Sequence, residues 1–134
     1  MSAVCTPAQT STGQPLIEKH PKTIHFFGRV VLSNAPGNYA AGGDVLDLNG
    51  LLPPGYNFPS NGLPEKVEIQ SIKSPGATSL FVYNFALGTT MSNGKIQVFT
   101  GAAAQSGLAE LANGNYPAVV LADVIEIEVV LTMS

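Results

Sequence analysis

The segment 122–133, "ADVIEIEVVLTM", decides the fold class. Ile125, Ile127, Val129, Leu131 and Met133 take alternate positions, with Glu126, Glu128 and Thr132 on the opposite set. Successive strand side chains point to opposite faces, so this spacing describes a strand with one buried and one wet face. Working back along the chain, "TIHFFGRVVLS" (23–33), "DVLDL" (44–48), "KVEIQSI" (66–72), "SLFVYNFAL" (79–87) and "KIQVFTG" (95–101) are rich in β-branched and aromatic residues and read as further strands. Asn-Gly pairs begin at Asn49, Asn61, Asn93 and Asn113, and such pairs supply the positive φ angles of tight hairpins. The clearest hairpin is "TTMSNGKIQVF" (89–99). Only "GAAAQSGLAELANG" (101–114) has helical character, held to a turn or two by Gly101, Gly107 and Gly114. Some six to eight short strands with turns between them predict an all-β fold, an antiparallel β-sandwich or a jelly roll.

Two segments fall outside this strand pattern. Residues 1–22 read as an extended N-terminal arm, uncharged through residue 17, rich in Ser, Thr, Gln and Pro and offering little to a core. Residues 23–134 form the single sandwich domain. On this reading, deleting residues 2–17 leaves the melting temperature nearly unchanged. The second segment is the 16-residue loop from Asn49 to Pro64, longer than most connections in a compact domain. Its Leu51, Leu52, Tyr56 and Phe58 each gain roughly 1.5–3 kcal/mol from full burial. They pack either over the end of their own sandwich or against a neighbouring subunit. Leu16 and Ile17 of the arm join these four as candidate protein-interface residues.

The totals narrow the function classes. A chain of 134 residues is one domain, and 11% charged residues against an average of about 25% leaves surface free for protein contacts. The net charge is −3, the six bases are scattered, and no Lys or Arg follows Lys95. Neither nucleic acid nor an anionic membrane is therefore expected as a partner. Cys5 is the single cysteine, so no intramolecular disulfide forms, and synthesis in a reducing cytoplasm is expected. The N-terminus lacks the basic and apolar regions of a signal peptide, and no run has the ~18 apolar residues of a membrane span.

Chemistry-bearing residues are few. His20 and His25 are the two histidines, and no G-x-S-x-G elbow accompanies them. Cys5 has no basic neighbour or helix start to lower its pKa. Glu126 and Glu128 project from one strand roughly 6–7 Å apart, a spacing compatible with a glycosidase pair or calcium. The chain has no Trp to form a sugar platform, however, and a solvated outer face that discourages edge pairing explains the pair as well. Asp44 and Asp47 lack the oxygen-ligand alternation of a calcium loop. "GNYAAGG" (37–43) is followed by neither Lys-Ser/Thr nor a helix to hold phosphate. No catalytic constellation is legible, and neither an enzyme, a cofactor, a metal nor a small-molecule substrate is expected.

The segments "NYAAGGDVLDLNGLLPPG" (38–55), "KVEIQSIKSPGATSLFVYNF" (66–85) and "NGKIQVFTGAAAQSGLAELANGNYPAVVLADVIEIEVVL" (93–131) together resemble small structural proteins of tailed-bacteriophage heads, of the capsid decoration, or cement, type. The resemblance implies a jelly-roll-like sandwich that binds the outer capsid surface in many copies. Its partners would be the major capsid protein and copies of itself, as a dimer or trimer. It would be made in the host cytoplasm and located on the virion. The alternative reading is a phage tail, fibre or receptor-binding module. Decoration proteins share no motif that assigns a role to a particular residue here.

Overall fold

The structure is a computed structural model that describes residues 3–9, 11, 13, 16–34, 39–52, 63–71, 81–101 and 108–132. Among these lie nine strands: β1 (Ala3–Pro7), β2 (Ile17–Lys19), β3 (Thr23–Leu32), β4 (Asp44–Leu46), β5 (Lys66–Ser71), β6 (Phe81–Ala86), β7 (Gly94–Gly101), β8 (Leu108–Glu110) and β9 (Ile125–Thr132). A 3-10 turn spans Leu48–Leu51, and one short helix, α1, spans Ala118–Leu121. The strands form two antiparallel sheets. One has the order β1-β3-β9-β5, with β2 also on β3; the other has the order β4-β7-β6, with β8 also on β7. Among the described residues neither sheet closes on itself.

The alternation in β9 does what its spacing requires. Ile125, Ile127 and Val129 are buried, and each meets an inward residue on both neighbours. Val30, Gly28 and Phe26 of β3 lie opposite them on one side, and Ser71, Ile69 and Val67 of β5 on the other. From the second sheet, Leu46, Tyr83, Ile96 and Val98 enter the same buried cluster. Because β9 is paired along both edges, Glu126 and Glu128 stand on the middle of a sheet face. They do not guard an exposed edge, contrary to the expectation from sequence.

The N-terminal segment also departs from expectation. β1 pairs with β3 from Ala3↔Leu32 to Pro7↔Gly28, and Ala3 and Cys5 are buried in the shared core. The turn Leu48–Leu51 packs beneath it, and the Cys5 thiol donates to the Asp47 carbonyl at 2.9 Å. The approach is close enough to demand glycine on both sides. A Cβ at Gly50 would strike the Cys5 carbonyl, and one at Gly28 would strike Leu51 and the Thr6 backbone. Small uncharged residues such as Ala3 and Cys5 look like a linker in composition, yet a strand needs only alternate small apolar groups to cover a neighbour. The expectation that residues 2–17 can be removed without cost therefore does not hold.

Two local readings change as well. The segment read as weakly helical contains β8 at Leu108–Glu110, which pairs with Phe99–Gly101 of β7. The hairpin at "TTMSNGKIQVF" is present as β6–β7, with Phe81 opposite Thr100 and Ala86 opposite Lys95, but its turn does not use a positive φ at Asn93 or Gly94. Instead Asn93 closes the loop with its side chain, accepting from the Thr90 N–H at 2.9 Å and donating to Thr89 Oγ1 at 2.7 Å. Gly94 is required because the Phe85 ring fills the space a Cβ would take.

Burial, and next the nearby charge of Asp47, push the Cys5 thiol up to about 12. Only the thiolate reacts, so labelling at pH 8 must await detachment of β1. Iodoacetamide should modify Cys5 about a hundredfold or more slowly in the native protein than in urea. Gly28→Ala should speed labelling and cost about 1–3 kcal/mol in urea denaturation. Deleting residues 2–17 should cost at least about 2 kcal/mol, several degrees in Tm.

Candidate functional site

The outer face of the five-stranded sheet has three central cross-strand rows, set by register, flanked by the exposed pair Val4 and Val31 at one end and by Thr23 and Thr132 at the other. The first holds Lys66, Val130, His25 and Glu18; the second Glu68, Glu128 and Phe27; the third Gln70, Glu126, Arg29 and Thr6. Next to Phe27 the edge of β3 is shared between β1 and β2. Ala8 donates to the Phe27 carbonyl at 2.9 Å, Phe27 donates to the Leu16 carbonyl at 3.3 Å, and Leu16 donates to the Ala8 carbonyl at 2.7 Å. These bonds tie Ala8 and Leu16 to each other and to Phe27. Ala8 and Leu16 wall one side of a groove of about 240 Å3, floored by the second and third rows.

Electrostatics along the groove are arranged by row. Glu68 and Glu128 lie directly opposite each other, an unfavourable like-charge pairing. Basic side chains sit at the margins: Lys66 Nζ is 2.9 Å from Glu68, His25 Nδ1 is 3.4 Å from Glu128, and Arg29 reaches Glu126 only at 4.0 Å. The Lys66 pKa is raised chiefly by its hydrogen bond to Glu68 and next by the charge of Glu68, with a smaller effect from Glu128. His25 stacks beside Phe27 with ring centroids 6.4 Å apart, and His20 meets His25 edge-on at 4.8 Å. Among the described residues, no group of three or more His, Cys, Asp or Glu is arranged to hold a metal ion.

The six interface candidates do not gather in one place. Leu16 is 41% exposed at the groove wall, whereas Ile17 turns the other way and packs on the core. Leu51 is 1% exposed within the protein's own core, and Leu52 is half-buried against it, so the start of the long loop packs on its own domain. Tyr56 and Phe58 lie outside the described residues. Phe27 and Glu68 were not singled out from sequence. Alternation in "KVEIQS" (66–71) places Glu68 on a wet face, but only the register sets it against Glu128.

The outer face of the second sheet is different in kind. Val82 lies opposite Phe99, Asn84 opposite Gln97, and Ala86 and Val45 flank Lys95. Asn84 Nδ2 donates to Gln97 Oε1 at 2.9 Å, so these two amides partly satisfy each other. The charged residues at the described outward positions of this sheet are Lys95 and, opposite Phe99 on β8, Glu110.

Two tyrosine–carboxylate clusters tie the chain together beneath these faces. Tyr116 donates to Asp44, and Tyr39 donates to Glu110 at 2.7 Å while accepting from the Val98 N–H at 3.2 Å. Tyr83 and Ser71 both donate to Asp123, at 2.8 and 2.6 Å, bridging β6 to β5. All are occupied by structural hydrogen bonds. No helix among the described residues is long and apolar enough to cross a membrane. Comparison with protein-family models, curated proteins and solved structures returned no match.

The hydrogen bond from Tyr39, followed by that from the Gly42 N–H, holds Glu110 below its ordinary value of 4.5. A folded pKa below the unfolded one gives stability that is complete above the ordinary glutamate range and lost as pH falls through the folded value. Tm measured from pH 6 down to pH 3 should fall, and Glu110→Gln should flatten part of that fall. Desolvation, then the Glu110 hydrogen bond, pushes Tyr39 up to about 12, so its phenol stays protonated throughout this range.

Proposed function

We propose that the protein is a virion structural component of a tailed bacteriophage, a decoration protein that binds the outer capsid surface in many copies and stabilises the head. In this reading the two sheets are the layers of a jelly-roll-like sandwich, made in the host cytoplasm. The partners are the major capsid protein and further copies of the chain, as a dimer or trimer. The observation that supports it most is the outer face of the second sheet. Val82, Phe99 and Val45 offer apolar area, and Asn84 and Gln97 already bond to each other, so covering this face sacrifices few bonds to water. Such a face suits docking on a protein surface. Modest burial per copy becomes firm attachment when symmetry repeats it across a shell and copies contact one another.

Immunogold labelling of purified virions tests the reading. Dense label over the head is expected. Label confined to a vertex, tail or fibre tip would replace decoration with a connector or receptor-binding role, and virions without label would overturn the virion assignment. Val45→Asp with Val82→Asp should leave at least about tenfold fewer copies on the particle, because docking would desolvate two added carboxylates, of which the one at 82 stands opposite Phe99 with no cation to pair it. Both positions are exposed in the free protein, so Tm should change little.

A further inference from the structure

The groove on the other sheet has a chemistry that docking through the second sheet does not use. Its floor sets Glu68 directly against Glu128, each with one basic neighbour from the first row, Lys66 Nζ at 2.9 Å from Glu68 and His25 Nδ1 at 3.4 Å from Glu128. Arg29 is held in the third row at the limit of an ion pair with Glu126. The wall is apolar, made of Phe27, Leu16 and Ala8. At about 240 Å3 the groove is smaller than the roughly 300–1,000 Å3 of most small-molecule pockets and of a size for a single side chain.

We propose that this groove receives an arginine side chain presented by a protein partner, with the guanidinium lying against Phe27 and its N–H fork on the carboxylates of Glu68 and Glu128. The complementarity is specific. A planar cation can stack on an aromatic ring while pairing with carboxylates at its edge, and its methylene stem covers apolar wall. Lysine supplies the charge but neither the plane nor the fork. A guanidinium between Glu68 and Glu128 also balances the like-charge pairing that the register sets. Anionic partners are repelled by the same carboxylates.

The inference does not rest on the virion reading, and the isolated protein tests it. The 15N-labelled chain is titrated with acetyl-Ala-Arg-Ala-amide and with the same peptide carrying lysine or norleucine. The arginine peptide should shift the amides of Ala8, Leu16, Phe27, Ile127 and Glu128 together, bind at least about threefold more tightly than the lysine peptide, and leave the norleucine peptide without effect. Glu128→Gln removes one carboxylate and the repulsion together. It should weaken arginine binding at least about fivefold without lowering Tm, which separates a lost site from a lost fold. Phe27→Leu should erase the preference for arginine over lysine. Equal shifts from the norleucine peptide, shifts scattered over the surface, or unaltered binding to Glu128→Gln would each overturn the proposal.

Discussion

Strand β9 is paired along both edges, to β3 and to β5, and nearly every other feature follows from that arrangement. A strand in this position has one face committed to the core, so a slip of one residue would bury Glu126 and Glu128 and expose Ile125, Ile127 and Val129. Burial of each of those three is worth roughly 1.5–3 kcal/mol, and their partners on both neighbours gain as well. The register is thereby strongly specified. The same register lays out the outer face, because whatever stands between the core residues of β9 must stand in the middle of a sheet.

That constraint explains why the two outer faces differ. On the five-stranded sheet the wet positions carry Glu68, Glu126, Glu128, Lys66 and Arg29, arranged so that opposite charges meet at the margins and like charges meet in the middle row. On the four-stranded sheet the corresponding described positions carry only Lys95 and Glu110 as charges, and the two amides bond to each other. On the readings proposed above, one face would serve adhesion over an area and the other would take a single cationic side chain of a partner.

The N-terminal strand links the sheets through the least conspicuous residues in the chain. Ala3 and Cys5 have small side chains, and the glycines at 28 and 50 let β1, β3 and the turn Leu48–Leu51 approach without a side chain between them. The Cys5 thiol is left buried and protonated, inert as a nucleophile and useful as a reporter of whether β1 is in place. Leu16, bonded to Ala8, then finishes the groove wall, so the segment that helps close the core also shapes the groove.

The six strands β3 to β7 and β9 were legible in the sequence, because a run such as "VIEIEVV" (124–130) states its own period and because β-branched and aromatic residues cluster where strands are needed. Three short strands were not. β1 and β2 consist of residues that also suit a linker, and the segment of β8 has helical composition that pairing with β7 overrides. The site was legible only as parts: Glu126 and Glu128 as neighbours on a wet face, and Leu16 as an apolar residue in an arm. Alternation tells which face a side chain takes but not which strand lies beside it. Tertiary pairing alone placed Glu68 against Glu128, Phe27 beside them and Leu16 at their edge, since these contacts join residues far apart in the chain and depend on strand order, which no local pattern encodes.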